Sequence, residues 1–297
     1  MTAPQGVVLR HRGVLRAEGA DARSFLQGIV SNDVERVGPE QAVWAAFLTP
    51  QGKFLHEFFI VELDGALLLD CEAERLADLQ QRLSRYRLRS KVTLAAAGGS
   101  LAVAALFGDQ ALDRLGLPAE PGKGKPFEGG VVYCDPRLPA LGARAILPAA
   151  EAPAILEHAG FEAGNLADYD GRRIALGVPD GSRDLEVERS ILLENGFDEL
   201  HGVDWDKGCY MGQELTARTK YRALIKKRLL PVAIEGPAPA PGTAILADGK
   251  EAGVMRSASG DLGLALLRLD TLDGAEGPVF TAGEARLTPR KPDWAVF

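Results

Sequence analysis

Residues 41–71, QAVWAAFLTPQGKFLHEFFIVELDGALLLDC, contain three apolar runs separated by two turn signals. The signals are TPQG at 49–52 and DG at 64–65, and their Pro, Gly and Asp residues favour tight turns. Apolar runs joined by such short turns are typical of neighbouring antiparallel strands. The segment therefore predicts a three-stranded antiparallel meander.

Helical patterns flank this meander. After Asp21, a residue that can cap a helix, apolar side chains recur at helical spacing as far as Val30. A second stripe, with spacings of 3, 4 and 3, runs from Leu76 to Tyr86. Residues 101–176 alternate short strand patterns with further helix patterns. These patterns predict the α+β class, with one subdomain at 1–100 and a second of similar build at 101–225.

The last part of the chain has a different character. Past Arg228, short apolar runs are separated by Gly, Pro and Asp, which is typical of a small β-barrel or sandwich. We therefore expect a third, β-rich domain at 226–297. The Pro-rich stretch at 235–242 is predicted to be a loop inside that domain, because strand signals flank it closely on both sides.

Composition excludes several classes of protein. The net charge of −7 disfavours direct nucleic-acid binding, since such proteins concentrate basic charge. No apolar run approaches the ~18 residues that span a bilayer, and the N-terminus shows no signal peptide, so a cytoplasmic location without a membrane partner is expected. The four histidines are scattered and the three cysteines are far apart, which predicts no metal site and no disulfide framework.

Cys209 lies in an unusual context, the segment DKGCYMGQE at 206–214. Gly208 permits close backbone approach or an unusual φ, and good helix formers follow from Gln213. A thiol at the start of that helix would face its positive end, and Lys207 would add a neighbouring cation; both favour the thiolate. The sequence thus predicts a reactive cysteine. The alternative is that Cys209 is a small buried hydrophobe, as free cysteines often are.

Two segments concentrate positive charge. RTKYRALIKKR at 218–228 holds six Lys or Arg residues, and RLSRYRLRSK at 82–91 holds five. Solvated helix faces are one interpretation of such segments. In an acidic protein they can also steer a small polyanion, such as a polyglutamate tail, into a cleft.

Several segments resemble the YgfZ family, the folate-binding relatives of the glycine cleavage T-protein. The most specific is KGCYMGQE, which is similar to the family signature K-G-C-Y-x-G-Q-E. The motif residues are Lys207, Gly208, Cys209, Tyr210, Gly212, Gln213 and Glu214. The other matching segments are FLQGIVSNDV at 25–34, LTPQGKFLHEF at 48–58, RYRLRSKV at 85–92, GRRIALGVPDG at 171–181 and LLENGFDEL at 192–200.

The resemblance implies a T-protein-like architecture, in which two α+β subdomains and a C-terminal β-barrel surround a central channel for tetrahydrofolate. It implies support for the assembly or repair of iron–sulfur clusters in client enzymes, including radical-SAM enzymes that modify tRNA, with folate and iron–sulfur proteins as partners. Lys207 and Cys209 would carry the chemistry. Because clusters normally need about four cysteine ligands, a stably bound cluster would need a partner or a dimer.

The folate site is likewise implied by the resemblance. Glu194 matches a pterin-contacting glutamate, and Arg228, helped by Lys226 or Lys227, falls where a folate-tail arginine is expected. The sequence departs from the T-protein where an aspartate should assist methylene transfer, because His56 or Glu57 stands there. A classical enzyme is therefore not expected, and a folate-dependent aminomethyltransferase or one-carbon transferase is the alternative.

Overall fold

A computed structural model describes residues 3–222, 224–272 and 278–297. Their contacts cluster into two compact units. Of the described residues, the first unit comprises 3–48, 55–169 and 200–211, and the second comprises the remainder. The three consecutive ranges expected from the sequence, 1–100, 101–225 and 226–297, stay a prediction.

Among the described residues, the first unit contains two sheets and four α-helices that lie wholly within it. Its strands are β1 (Gln5–Val8), β2 (Arg12–Glu18), β3 (Val43–Leu48), β4 (Phe54–Leu63), β5 (Ala66–Glu72), β6 (Thr93–Ala96), β7 (Leu101–Phe107), β8 (Gly124–Phe127), β9 (Gly130–Cys134), β10 (Ala143–Pro148) and β11 (Glu162–Ala163). Its helices are α1 (Ala22–Gln27), α2 (Leu76–Tyr86), α3 (Ala111–Leu115) and α4 (Ala152–His158).

The predicted meander is confirmed. The five-stranded sheet has the order β3-β4-β5-β2-β6, and β4 pairs antiparallel with β5. At the hairpin between them Asp64 and Gly65 have φ of 52° and 76°, the left-handed conformation that a two-residue turn of this kind needs. The helix α1 follows Asp21 as predicted, but the Asp21 carboxylate does not cap it; it accepts a hydrogen bond from the Lys91 amide instead.

The six-stranded sheet draws on distant parts of the chain. Its order is β11-β1-β7-β10-β9-β8, so the first strand of the protein lies between two strands that come more than ninety residues later. β1 pairs antiparallel with β7 and parallel with β11. Apolar side chains of β7 and β10 pack with those of α3 and α4 to form one buried cluster. The sheet therefore depends on pairing across the whole first half of the chain.

The second unit is built around the C-terminal strands. Its strands are β12 (Lys227–Glu235), β13 (Ala244–Ala247), β14 (Lys250–Ser259), β15 (Leu262–Arg268), β16 (Phe280–Ala282) and β17 (Ala285–Pro289), and its helices are α6 (Gly181–Asp184) and α7 (Gln213–Tyr221). A further helix, α5 (Leu166–Ala175), begins in the first unit and ends in the second.

The predicted β-barrel is confirmed. Strands close in the order β12-β15-β14-β13-β16-β17, around a core that includes Val232, Ile245, Met255 and Leu287. Closure removes the exposed strand edges that an open sheet would leave. The Pro-rich stretch at 235–242 falls between β12 and β13, as predicted. Within the described residues, no helix is long and apolar enough to cross a membrane.

A buried ion network ties helices of the second unit to the barrel. The guanidinium of Arg173, at the end of α5, is fully buried and donates to Asp170 and Asp184 at 2.6 and 2.7 Å. Asp184 in turn accepts bonds from the amide and hydroxyl of Ser257 on β14. Because each charge has an opposite partner and hydrogen bonds, its desolvation is compensated.

Candidate functional site

Cys209 is the exposed cysteine of the three in the chain. It lies in the loop at 200–211 of the first unit, whereas Cys71 and Cys134 are buried in strands. Burial raises the pKa of both buried thiols to about 12, so they stay protonated at neutral pH. The alternative that Cys209 is a small buried hydrophobe is therefore wrong. Its sulfur is open to a partner molecule.

The expected position of Cys209 at a helix start is wrong. α7 begins at Gln213, four residues after the cysteine, and the residue that precedes the helix, Gly212, has a left-handed φ of 81°. Tyr210 and Met211 therefore belong to the loop and not to the first turn, where the helix dipole acts. Gly208 also has a positive φ, of 92°, with open space where a Cβ would lie. Its role is to permit this backbone conformation.

Lys207 anchors the cysteine loop. Its ammonium nitrogen donates to the carbonyls of Gln27 and Val30 at 2.8 and 2.5 Å, at the C-terminal end of α1. It also lies 5.2 Å from the centre of the Tyr210 ring. Burial lowers the pKa of Lys207 to about 8, and Asp33 and Asp204 oppose that shift. At neutral pH the amine is thus still charged, and cations are favourable at a helix C-terminus.

The two residues that follow Val30 also bind the same loop. Ser31 Oγ donates to the carbonyl of Gly202 at 2.6 Å, and Asn32 Nδ2 donates to that of His201 at 2.7 Å. The amide of Asp204 donates to the carbonyl of Ser31 at 3.0 Å. The sequence did not predict Ser31 or Asn32 as site residues, although both lie in the recognised segment FLQGIVSNDV. Their function is to position the cysteine loop.

Lys207→Met is expected to loosen this loop without altering the thiol itself. The carbonyls of Gln27 and Val30 lose their charged donor, and an unmade bond of this kind costs about 1–3 kcal/mol. Amide hydrogen exchange should accelerate in 201–211 and stay unchanged in the barrel. A control, Lys91→Met, changes an exposed lysine whose side chain makes none of these bonds. Equal exchange rates in wild type and Lys207→Met would contradict the anchoring role.

A cavity of about 440 Å³ lies beside this loop, within the first unit. Its wall includes Asn32, which binds the cysteine loop, and residues of that loop itself. The charged and polar lining residues include Asn32, Arg36, Lys123, Glu120, His201 and Asp204. The volume falls in the range of small-molecule sites, and both cations and acids line it.

The interior of the first unit contains a cluster of buried charges that the sequence did not predict. Arg12, Arg137 and Arg144 place their guanidinium groups 5.5, 4.8 and 4.0 Å from the centre of the Phe59 ring. Their carboxylate partners are as deeply buried. The ion pairs are Arg12 with Glu57 and Asp70, Arg144 with Asp70, and Arg137 with Asp135.

Asp70 lies at the centre of this cluster. Its carboxylate accepts from Arg12 Nε at 2.7 Å and from both Nε and a terminal nitrogen of Arg144 at 3.0 and 2.5 Å. Burial alone would raise the pKa of Asp70, but the two guanidinium groups outweigh it and hold the pKa below its usual range. The cluster is therefore charged and fully paired at neutral pH.

His56 and Glu57, at the position expected to assist methylene transfer, both have partners inside the first unit. Glu57 accepts from Arg12 and from the indole nitrogen of Trp44. His56 Nε2 lies 3.0 Å from a carboxylate oxygen of Asp78. The His56 ring stacks on that of Phe47, and the two ring centres are 6.4 Å apart. Burial lowers the pKa of His56 to about 4, with Arg75 acting in the same direction and Asp78 opposing it. His56 is thus neutral at pH 7.

His56 is expected to make the protein less stable in mild acid. The unfolded chain takes up a proton near pH 6.5, whereas folded His56 does not until about pH 4, so stability is full above 6.5 and is lost as the pH falls toward 4. Between pH 7 and pH 5 this amounts to about 2 kcal/mol. In His56→Phe that part of the pH dependence should vanish, as measured by urea unfolding at both pH values. An unchanged difference between them would exclude His56 as its source.

In the second unit, Glu194 is a half-buried carboxylate surrounded by cations. It lies in a 3₁₀ helix, Leu192–Asn195, and none of the described residues forms a hydrogen bond or salt bridge with its side chain. Burial raises its pKa, while the charges of Lys227, Lys53 and Arg228 lower it. The neighbouring Asn195 has a buried Oδ1 with no hydrogen-bond partner among those residues. These groups are available to a ligand.

Arg228 and Lys226 differ in their surroundings. Arg228 is buried and already forms a bidentate ion pair with Glu199, at 2.8 and 3.1 Å, and donates to the carbonyl of Leu193. Lys226 and Lys227 are exposed. The arginine expected for a folate tail is therefore engaged in the fold, and the two lysines are the accessible cations of this segment.

The motif residues that remain lie on both sides of the helix start. Tyr210 is buried, Gln213 is half-buried and Glu214 is exposed in the first turn of α7. Lys207 and Cys209 fall in the first unit, and Glu194 and Arg228 in the second. In the described part of the chain, no group of three or more His, Cys, Asp or Glu side chains could hold a metal ion.

Comparison with known proteins gives relatives over almost the whole chain. Residues 226–297 match the family model of the CAF17 C-terminal beta-barrel domain. The mitochondrial iron–sulfur cluster assembly factor IBA57 of Mus musculus is 35% identical over 308 residues, covering 95% of this chain and 83% of the relative. That of Homo sapiens is 33% identical over 304 residues, with the same coverage.

A solved structure shares the fold. The glycine cleavage system aminomethyltransferase T from Bartonella henselae superposes with a TM-score of 0.78 at 15% identity, covering 99% of this chain and 87% of that one. The predicted T-protein-like fold is thus confirmed. The predicted cytoplasmic location is wrong by the same comparisons, because the matching assembly factors are mitochondrial proteins. The absence of an apolar leader pattern was too weak a signal to decide the compartment.

Proposed function

The chain belongs to the IBA57 family of iron–sulfur cluster assembly factors. We propose that it delivers iron–sulfur clusters to client proteins through the thiol of Cys209. The observation that carries the proposal is the contrast among the cysteines. Two are buried and protonated, while Cys209 is exposed on a loop that Lys207, Ser31 and Asn32 hold in place. A fixed, exposed thiol suits the transient binding of a metal.

In this proposal Cys209 binds the cluster, and other residues of the loop position it. In this step the Cys209 thiol releases its proton to solvent, and its thiolate replaces one existing ligand on an iron of the cargo cluster, while Gly208 permits the backbone conformation of the loop that carries the thiol. A single thiolate cannot hold a cluster, which normally takes about four cysteine ligands. The missing ligands come from the partner protein, so the cluster is shared between two proteins at the moment of transfer.

The clients are proposed to be cluster-containing enzymes, among them radical-SAM enzymes that modify tRNA. The net charge of −7 fits contact with such proteins better than contact with tRNA. The test is removal of the chain from its own cells, followed by assay of several cluster enzymes and of one enzyme without a cluster. We expect the cluster enzymes alone to lose activity. Full activity of all of them would overturn the proposal.

We also propose a reduced folate as the ligand of the second unit. The fit rests on Glu194, a half-buried carboxylate without a bonded partner among the described residues, and on the unmet Oδ1 of Asn195. A pterin ring offers adjacent N–H donors to such acceptors. Lys226 and Lys227 would pair with the glutamate tail, because Arg228 is engaged with Glu199. Transferase chemistry is not part of this proposal, because His56 pairs with Asp78 and Glu57 with Arg12 and Trp44.

Glu194→Gln is expected to weaken tetrahydrofolate binding by about tenfold or more, because a charged acceptor is worth roughly 1.5–3 kcal/mol per hydrogen bond. Calorimetric titration of the purified chain with tetrahydrofolate measures the change. Glu284→Gln, at an exposed position on the barrel, should bind as the wild type does. If the wild type binds no folate, or if both variants bind equally, this part of the proposal fails and the role of Cys209 is unaffected.

A further inference from the structure

The turn that follows α2 concentrates exposed positive charge. We name residues 85–91, RYRLRSK, the basic turn. Its four cations are exposed, and among the described residues none of them forms a salt bridge with an acidic side chain. They are Arg85, Arg87, Arg89 and Lys91. Acidic residues outnumber basic ones by 41 to 34 in the chain, so four neighbouring cations make this a locally positive surface on a negative protein.

Leu88 at the tip of the basic turn is exposed and conformationally unusual. Its side chain is 89% exposed, and its φ of 45° is in the left-handed region, which branched and bulky residues rarely adopt. Tyr86, two residues before Leu88, is 40% exposed. Its ring packs edge-to-face with that of Phe47, and the two ring centres are 6.0 Å apart. An unusual backbone conformation and an exposed apolar side chain at one position both raise the free energy of the unbound protein. Strained residues of this kind cluster at functional sites.

The basic turn is held rigidly. The amide of Ser90 donates to the carbonyl of Arg87 at 2.8 Å, which closes the turn around Leu88. The amide of Lys91 donates to the carboxylate of Asp21 at 2.7 Å, and the amide of Asp21 donates back to the carbonyl of Lys91 at 3.3 Å. A backbone fixed in this way loses little conformational entropy when the turn binds.

The same short helix supports both the basic turn and the cysteine loop. Asp21, which holds Lys91, precedes the first residue of α1, and Gln27, which holds Lys207, is its last. Six helical residues extend only about 9 Å, whereas a standard protein interface of about 800 Å² per partner extends roughly 30 Å. Ser24, between Asp21 and Gln27, and Gly28, next to Gln27, are exposed. A partner with an interface of standard size is therefore large enough to contact both features.

We propose that the basic turn is a docking surface for the protein that exchanges a cluster with Cys209, and that this partner presents a cluster of carboxylates around a small apolar pocket that takes Leu88. The charge of the turn selects an acidic surface, and Arg and Tyr are residues that protein interfaces favour. The link to Cys209 rests on the proposed function. The docking surface does not rest on it, because the affinity between the two proteins tests the surface independently of cluster transfer.

The test begins by identifying the partner. A photo-reactive p-benzoylphenylalanine replaces Leu88 in the full chain, and the control carries it in place of Lys250, an exposed residue of the barrel. After irradiation in cells, the protein captured from position 88 and not from position 250 is identified by mass spectrometry and purified. Its affinity for the full chain is then measured by calorimetry at low and at high salt concentration.

The affinity measurement decides the proposal. The double variant R85E/R89E should weaken binding by about tenfold or more, because it sets like charges against an acidic surface. K250E/R286E changes the net charge equally at exposed barrel positions and should stay within about twofold of wild type. Leu88→Gly relieves the unusual φ, so it should weaken binding while leaving the thermal stability at least unchanged.

Three results would overturn the docking surface. These are capture of nucleic acid or lipid at position 88, capture of no protein there, and equal affinity of R85E/R89E and wild type for the captured protein. Cys209→Ser separates this proposal from the proposed function, because it should keep the affinity and lose cluster transfer. If Cys209→Ser transfers clusters normally, the thiol mechanism is wrong and the docking surface still stands.

Discussion

Asp70→Ala is expected to lower the free energy of unfolding by about 3–5 kcal/mol, the usual consequence of removing one partner from a buried ion cluster. Asp70 is fully buried and bonds to both Arg12 and Arg144. Without it, Arg12 keeps Glu57 as a carboxylate partner, and Arg144 loses the ion pair that it forms with Asp70. Two cations would then remain in an apolar interior against the Phe59 ring.

Urea unfolding at neutral pH measures this loss, and Asp270→Ala supplies the control. Asp270 pairs with Arg268 on the surface, where water screens both charges, so its removal should leave the unfolding curve unchanged within error. A loss of less than about 1 kcal/mol for Asp70→Ala would mean that the cluster contributes no more than an ordinary surface pair.

The contribution of Asp70 has a defined pH range. Because the folded pKa of Asp70 is lowered, its stabilisation is fully present above the unfolded value of about 4 and is lost as the pH falls below it. The wild type should therefore lose more stability in acid than Asp70→Ala does. This acid range lies below that of His56, so the two contributions can be separated in one pH series.

Cys209→Ser is expected to reduce the activity of client cluster enzymes to the level seen without the protein. A hydroxyl replaces the thiol at nearly the same size but does not supply a thiolate ligand to iron. Since the side chain is exposed, the thermal stability should not change. The measurement is complementation in cells that lack the chain, with cluster-enzyme activity as the readout and circular dichroism of the purified variant as the check on folding.

Cys134→Ala is the matched control, because it also removes a thiol but from a buried position on β9. It should lower the stability by about 1–2 kcal/mol through the space it leaves, while clients remain active. This opposite pattern separates loss of function from loss of folding. Client enzymes that work normally with Cys209→Ser would show that the thiol has no part in assembly.

Local patterns in the sequence predicted the meander and the barrel because their signals are short-range. The turn at Asp64 and Gly65 needs two residues with positive φ, and that requirement can be seen in two letters. The same holds for the short runs of 226–297. The predicted start of the helix after Cys209 was wrong for a related reason. The sequence shows the good helix formers that follow Cys209, but it does not show that Gly212 adopts a left-handed φ and that the helix begins only after it.

Long-range pairing could not be predicted from periodicity. Arg12 and Asp70 are 58 residues apart, and Arg144 and Asp70 are 74 apart, so neither pair produces a local signal. Charged residues in strands also suggest a solvated face, which conceals a buried cluster. Lys207 was predicted to act on the neighbouring Cys209 thiol, but its bonds to Gln27 and Val30, 180 and 177 residues away along the chain, give it an anchoring role that no local pattern could reveal.

The position of β1 between β7 and β11 has a consequence for the newly made chain. The first strand is complete at Val8, but its antiparallel partner ends at Phe107. At a synthesis rate of about 5–20 residues per second, the strand emerges roughly 5–20 s before that partner. During that interval its backbone amides and carbonyls have no strand to pair with. The nascent chain thus passes through a stage in which β1 must be kept from pairing with a wrong strand.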